Sequence, residues 1–502
     1  MRIAILHYHF HPGGVRTVVE NACASLRDRD YRFAILTGEP LAEGNGAPSG
    51  TLPQSGAPYR VLPDLTYGQA EEPGLLERAK ALAAGILGGP PDLWHFHNHS
   101  LGKNATLPRL AGALAAEGVP VLLQIHDFAE DGRPDNYRYL QEALGADDPD
   151  GLGNALYPGG ARVHYAALNG RDVRFLIEAG APPGRVHLLP NAVHLPGQDA
   201  AGAAWRELGD TRLFLYPTRA IRRKNIGEFL LLARLNQLRS ARQGTAPALH
   251  AVTMAPGNPV EKPIYGRWVA LAAELGLPVE WEFGKRSGLS FGALMAGAEQ
   301  IVTTSVGEGF GLAFLEPWLV GRPVAGRDLP EITRDFKEAG IRFPRVYEEL
   351  RAPLGTGAGE FRASYRRGLA RAFAAYGQEL SAAELASAWE QTSAGGGVDF
   401  GKLDEAGQER VLRGSRDALA PLDHDFDFLI DPPPVTADLL KTNRRIIAET
   451  YSSAAYGQRL DALYQQVARD SPLAVGEQKL SGARLLQCFL TPSRFTPLRG
   501  VR

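Results

Sequence analysis

A repeated pattern of short apolar run, turn and helix-period stretch constrains this chain more than any other feature. Residues 2–6 (RIAIL) are continuously apolar; Pro12-Gly13-Gly14 then makes a turn, and Val15, Val18, Val19, Ala22 and Leu26 recur at helical spacing. The pattern returns at YRFAILT (31–37), GLLERAKALAAGILGG (74–89), the strand-like PDLWHFHNH (91–99), PVLLQIHDF (120–128), RVHYAALNGRDVRFLIEAG (162–180) and RVHLLPNAVHL (185–195). Strands buried on both faces read as unbroken apolar runs, and parallel neighbours need crossover helices. Five or more such alternations predict a parallel, doubly wound α/β sheet. Residues 41–60, rich in Gly, Pro, Ser and Ala, are expected to be a surface loop.

The rhythm pauses at the polar, Gly/Ala-rich stretch 197–211, read as a linker. It restarts with RLFLYPTRAIRRKNIGEFLLLARL, ALHAVTMAPGN and FGALMAGAEQIVTTS. At 502 residues the chain exceeds one ordinary core, so two successive α/β halves facing a cleft are predicted. The formal charge of −2 supplies no field to gather nucleic acid, and nucleic-acid binding is not expected. Only Cys23 and Cys488 are present, which excludes a disulfide framework and a CxxC metal knuckle and suits a reducing cytoplasm. The opening MRIAILHYHF is a poor signal peptide, and no apolar run approaches the ~20 residues of a membrane span. A cytoplasmic enzyme is expected, with peripheral membrane attachment left open.

Several residues suggest chemistry. Apolar AEQIVTTS runs into the glycine turn GEGFG, followed by a predicted helix, with Glu308 and Glu316 on either side of its start. Taken alone, this stretch suits metal, acid–base or phosphate chemistry. A basic turn, Arg219, Arg222, Arg223 and Lys224, falls between a buried strand and a helix, where cations and a helix N-terminus form a phosphate clamp. Gly13-Gly14 likewise puts backbone N–H groups at a helix start, but the spacing is not the dinucleotide GxGxxG fingerprint. His95, His97 and His99 alternate along one predicted strand, so they share a face. No cysteine or carboxylate cluster accompanies them, so a metal site is not expected. The strand ends, His97-Asn98 and His126-Asp127, are where doubly wound folds bind ligands.

Together these segments resemble the retaining GT-B glycosyltransferases of family 4. HPGGVRTVVENACASL is similar to that family's glycine loop and helix, IHDF to its strand-end histidine, and LLPNAVHL to its PNGVD segment. PTRAIRRKNIGEFL resembles its phosphate motif, SVGEGFGLAFLEPWLVGRPV its donor signature of two glutamates eight positions apart, and TYSSAAYGQRLDALYQQV its closing helix. The resemblance implies two Rossmann-like domains: 1–196 together with closing helices at about 452–502, and 205–451 for the nucleotide sugar. It implies transfer of a hexose from a UDP-, GDP- or ADP-linked donor to an acceptor hydroxyl, with no cofactor and no essential metal. Arg219 and Lys224 would neutralise the departing diphosphate, aided by Gly13 and Gly14 and by backbone N–H groups along Gly309, Phe310, Gly311 and Leu312. Glu308 would contact sugar hydroxyls, Glu316 the ribose diol, and His126 the sugar near its reacting carbon. Weaker acceptor candidates are His97, Asn98 and Lys103. The acceptor itself is unspecified; a small solute or glycan is favoured over a lipid, and homo-oligomerisation is left open.

The chain departs from that pattern. Ala192 and His194 replace the glycine and acid of the PNGVD segment, and Pro317 follows Glu316 inside the predicted helix. Residues 335–430 form a long stretch with inserted helices and a Gly-rich loop, and the tail 479–500 is unfamiliar. Competing activities are a sugar-nucleotide epimerase, a phosphorylase, or a non-catalytic sugar-nucleotide-binding subunit.

Overall fold

The computed structural model describes residues 1–41, 47–68, 72–160, 162–194, 211–353, 355–425, 432, 434–470 and 480–499. The expected linker 197–211 lies outside them except at residue 211. The chain forms two compact units, Met1–Ala192 with Thr450–Thr491, and Val193–Glu449 with Pro492–Arg502. The last eleven residues therefore group with the second unit, whereas the sequence reading carried the first unit's closing segment to 502.

The first unit holds an eight-stranded sheet: β1 (Arg2–His7), β2 (Arg32–Thr37), β3 (Ser49–Thr51), β4 (Pro58–Val61), β5 (Leu93–His97), β6 (Val121–Ile125), β7 (Val163–Ala167) and β8 (Val186–Leu188), in the order β3-β4-β2-β1-β5-β6-β7-β8. All pairings are parallel except β3 with β4. The runs that read as unbroken apolar are the central strands, and Ile3, Ala4, Ile5 and Leu6 are fully buried. The helix Ser453–Arg469 covers this sheet, placing Tyr456, Leu460, Leu463, Tyr464 and Val467 in one core with Ile3, Ile5 and Val19.

One expectation is corrected here. Residues 41–60 are not simply a loop, because 49–61 extends the sheet edge as an antiparallel hairpin. Tyr59 supplies the reason: it is buried and sits opposite Ile35 of β2, so its ring closes the core where a turn-rich composition suggested only surface.

The second unit holds a parallel sheet: β9 (Leu213–Arg219), β10 (Leu249–Met254), β11 (Val279–Glu280), β12 (Gln300–Thr303), β13 (Val324–Arg327) and β14 (Val346–Tyr347), in the order β11-β10-β9-β12-β13-β14. The chain winds outward from β9 in one direction and from β12 in the other, so the switch point lies between these two strands. Ligands of open α/β sheets bind at the carboxyl ends of such a pair. In the first unit the same reversal falls between β1 and β5.

The long stretch 335–430 contributes helices Ala358–Ala374, Ala382–Ser393, Glu405–Leu412 and Arg416–Asp425. Its glycine-rich segment is not only a loop. β15 (Arg351–Pro353) pairs antiparallel with β16 (Gly397–Asp399). Asp399 anchors this ladder by accepting from Leu350 N at 3.0 Å and from Arg327 Nη1 and Nη2 at 2.9 and 2.8 Å. Arg327 also grips Glu228, through Nε at 2.9 Å and Nη2 at 2.6 Å. A buried cation at the end of β13 thus joins the first turn of helix Ile226–Gln243 to the inserted region.

Candidate functional site

The β9 and β12 loops of the second unit meet at its switch point. After β9, Arg222–Lys224 make one 3-10 turn, and Asn225 adopts a left-handed conformation (φ 51°) before helix Ile226–Gln243 begins. After β12, Thr304 and Ser305 are fully buried and turn their hydroxyls on this basic turn. Thr304 Oγ1 donates to the carbonyls of Lys224 (3.1 Å) and Asn225 (3.0 Å), and Ser305 Oγ lies within bonding distance of Arg223 O (3.2 Å) and Gly307 O (3.0 Å). Tyr216 OH also donates to Lys224 O at 2.9 Å, and Val306 N donates to Arg223 O at 2.9 Å. The basic turn and the glycine turn, read separately in the sequence, form one hydrogen-bonded unit.

Their side chains meet as well. Lys224 Nζ donates to Glu308 Oε1, while Arg223 Nη1 donates to Glu308 Oε2 at 3.2 Å and to Gly307 O at 2.6 Å. Glu308 is 10% exposed and Lys224 14%. Burial alone would raise the Glu308 carboxyl, but the charges of Lys224 and Arg223 and hydrogen bonds from Lys224 and Ser305 outweigh it and bring the pKa to about 2. Glu308 is therefore ionised at neutral pH, an acceptor of hydrogen bonds rather than a proton donor.

Glu316 is the opposite case. It is half-buried and, among the described residues, its carboxyl has no hydrogen bond or ion pair; burial lifts it from 4.5 to about 7. The two glutamates of the signature thus have different chemistry, set by one having cations beside it and the other none. The segment between them corrects the expected helix: it is a 3-10 turn, Leu312–Phe314, followed by the four-residue helix Glu316–Leu319. Gly311 enters at φ 94°, and Pro317 cannot donate to a preceding turn, so no continuous helix forms across 311–319. Phe310 is buried against Phe336, whereas Leu312 is exposed.

The four basic-turn residues divide by partner. Arg222 is turned away to Glu405, Arg223 and Lys224 hold Glu308, and Arg219, at the end of β9, is exposed with no side-chain partner among the described residues. Sequence reasoning did not foresee the bracing by Thr304, Ser305 and Tyr216. Their hydroxyls carry no motif, and the apolar strand TTS gave no sign of facing another loop.

In the first unit, Gly13 and Gly14 are exposed at the start of helix Gly14–Ser25, which has no side-chain cap. A side chain at Gly14 would meet no atom of the described residues within 4 Å, so their packing does not require its smallness. At the ends of β5 and β6, Asn98 (φ 60°) accepts from the backbone of His126 at 3.3 Å and Asp127 at 2.8 Å. His97 Nδ1 lies 2.9 Å from His126 Nε2, one imidazole donating to the other. Burial lowers His126 to about 4 against the opposing charge of Asp127, so its ring is neutral at pH 7. His97 and Asn98 are buried, at 0% and 2% exposure, and their polar groups brace the two strand ends, while Lys103 is exposed. His95 binds Tyr464 OH (2.8 Å) and Gln124 Oε1 (3.1 Å), and His99 binds Leu156 O (2.7 Å).

Residues 13–192 match the glycosyl transferase 4-like domain family, a span that begins at the exposed glycines and ends with the first unit's N-terminal segment. Residues 13–192 thus carry the likeness to that domain family, and the chain as a whole has the GT-B fold. A mannosylglucosyl-3-phosphoglycerate synthase from Petrotoga mobilis is 27% identical over 354 residues, a match spanning 66% of this chain and 66% of that protein. Among solved structures, a sucrose-phosphate synthase from Thermosynechococcus elongatus superposes with a TM-score of 0.55 at 15% identity, covering 93% of this chain and 99% of that one. Anabaena HepE, solved with UDP and glucose, gives 0.53 at 14% identity, again over 93% and 99%. These two likenesses establish the GT-B fold. Among the described residues, no helix is long and apolar enough to cross a membrane.

Proposed function

We propose that this glycosyltransferase moves a hexose from a nucleotide-diphosphate sugar to an acceptor hydroxyl with retention of anomeric configuration. The observation that carries the reading is the joined pair of loops at the β9–β12 switch point. A little-exposed Lys224, an Arg223 beside it and an exposed Arg219 form a fixed cationic group next to an ionised Glu308. Diphosphate is a leaving group whose charge grows as the glycosidic bond breaks, and preorganised cations stabilise that charge without a metal or cofactor. Glu308, ionised and held in place, would accept hydrogen bonds from hydroxyls of the transferred sugar. Glu316, with no protein partner among the described residues, would accept from the ribose diol. Backbone N–H groups along Gly309, Phe310, Gly311 and Leu312 would face the diphosphate.

The first unit would hold the acceptor at the ends of β1, β5 and β6. The exposed Gly13-Gly14 start lets a ligand approach backbone N–H groups closely. A neutral His126 suits a hydrogen bond to the sugar rather than proton transfer. No carboxylate is assigned as a covalent nucleophile, consistent with attack on the same face from which the leaving group departs. The buried His97 and Asn98 would act through His126 and Asp127, leaving Lys103 as the exposed group of that set. A soluble acceptor and a cytoplasmic setting remain the preferred reading. The name of the Petrotoga relative makes phosphorylated small solutes the first acceptors to try.

The test is a thermal-shift screen of UDP-, GDP- and ADP-sugars and the matching diphosphates. A ligand at a hundred times its Kd should add about 2.7 kcal/mol to stability. One nucleotide series should raise the melting temperature, and its sugar should be transferred with retention. No stabilisation by any of the three would contradict the donor site, and product of inverted configuration would contradict retention.

A further inference from the structure

The inserted region touches the basic turn through one face of one helix. In helix Glu405–Leu412, Glu405 and Gln408 are three residues apart and lie on the same side. Their partners, Arg222 and Asn225, are also three apart and flank Lys224. Arg222 pairs with Glu405 through Nε and, at 3.1 Å, through Nη2, with both side chains little exposed (13% and 12%). Gln408 Nε2 donates to Asn225 Oδ1 at 2.8 Å and to Phe400 O at 3.0 Å, and Gln408 and Asn225 are both buried. Asn225 in turn donates to Glu228 at 2.7 Å, the carboxylate gripped by Arg327. The approach is close: a Cβ on Gly227 would stand 2.2 Å from Gln408 Oε1. The final segment adds a third contact, since Arg222 Nη2 donates to Pro497 O at 3.1 Å.

Lys224 therefore sits between two fastened residues. Its carbonyl is held by Tyr216 and Thr304, while Arg222, two positions before it, and Asn225, directly after it, are held by the insertion. The left-handed Asn225 is the pivot, because its backbone sets where the turn ends and the helix begins. An asparagine tolerates this conformation best when its side chain is locally bonded.

We propose that Glu405 and Gln408 are positioning residues for the donor-phosphate turn, and that this is a function of the inserted region. They touch neither substrate nor reacting atoms. By fixing Arg222 and Asn225 they hold Lys224 at Glu308, in the geometry that meets the departing diphosphate. The proposal rests on the donor site described under the proposed function. Misplacing a group by about 1 Å can cost on the order of a hundredfold in rate, so loss of either brace should be read in catalysis.

The experiment compares wild type with Gln408→Met, Glu405→Ala and Glu405→Gln. It measures nucleoside-diphosphate affinity, kcat, KM for donor and acceptor, and thermal unfolding. Gln408→Met and Glu405→Ala should lower kcat by roughly tenfold or more and weaken diphosphate binding, with acceptor KM unchanged. Glu405→Gln, which keeps a hydrogen-bond acceptor for Arg222, should recover most of the loss. Variants that melt earlier but keep wild-type kcat and diphosphate affinity would show a purely structural role and overturn the proposal. If Glu405→Ala does not fold, the size-matched Gln408→Met decides on the same criteria. Wild type that binds no nucleoside diphosphate would overturn the donor site itself, and the brace with it. Wild-type binding with Gln408→Met and Glu405→Ala unaffected would overturn the brace alone.

Discussion

Lowering the pH from 8 to 6 should weaken nucleotide binding through a single carboxyl, that of Glu316. Burial raises it from 4.5 to about 7, and no ion pair or hydrogen bond holds it ionised among the described residues. A ribose diol donating two O–H groups requires the ionised form, so binding must draw the carboxyl pKa down and release a proton. With a free-state value near 7, about nine-tenths of the molecules are ionised at pH 8 and about one-tenth at pH 6. Apparent affinity should then fall roughly tenfold, or ~1.4 kcal/mol. Titration calorimetry at pH 6, 7 and 8, in buffers of different ionisation enthalpy, reads both the affinity and the proton. The terminal phosphate of the ligand titrates in the same range, so Glu316→Gln is the reference: it keeps the phosphate's dependence and removes the carboxyl's. Because the folded value lies above the unfolded one, the unfolded chain releases its proton first. Stability without ligand therefore declines as pH rises from about 4.5 to about 7 and then levels. Coincident pH slopes for wild type and Glu316→Gln would refute the assignment of Glu316 to the diol.

Two further substitutions probe the frame around the sites. Arg327→Met leaves Glu228 and Asp399 buried without their shared cation. It should cost about 3–5 kcal/mol, read as a lowered unfolding midpoint; an unchanged midpoint would mean the cluster is not held as described. Gly482→Ala places a Cβ 1.8 Å from Pro149 O and 2.9 Å from Gly153 Cα. Helix Gly482–Phe489 would have to move off helix Pro149–Leu156, at a cost of about 1–3 kcal/mol by thermal unfolding.

The sheets were legible because parallel strands covered on both faces leave unbroken apolar runs, as at 2–6 and 213–216. The β3–β4 hairpin was not, since Tyr59 is a single core residue in a stretch whose composition reads as surface. The two loops at the β9–β12 switch point were legible through their cations and glycines, but not their joining. A motif records that Lys224 and Glu308 are present; only the fold shows that Lys224 pairs with Glu308 and that Arg222 is turned to Glu405. The divergence of Glu308 and Glu316 was equally hidden, because it depends on which carboxylate has cations beside it. The insertion was the least legible part: Glu405 and Gln408 lie some 180 residues beyond the turn they hold, and no local pattern spans that distance.

The central claim is that fixed cations at the β9–β12 switch point carry the departing diphosphate. The most direct measurement is the rate of nucleoside-diphosphate release from the stabilising sugar nucleotide by wild type and by folded Lys224→Ala and Arg219→Ala. The account predicts release by wild type and losses on the order of a hundredfold or more in both variants. Full wild-type rates in either variant would contradict it.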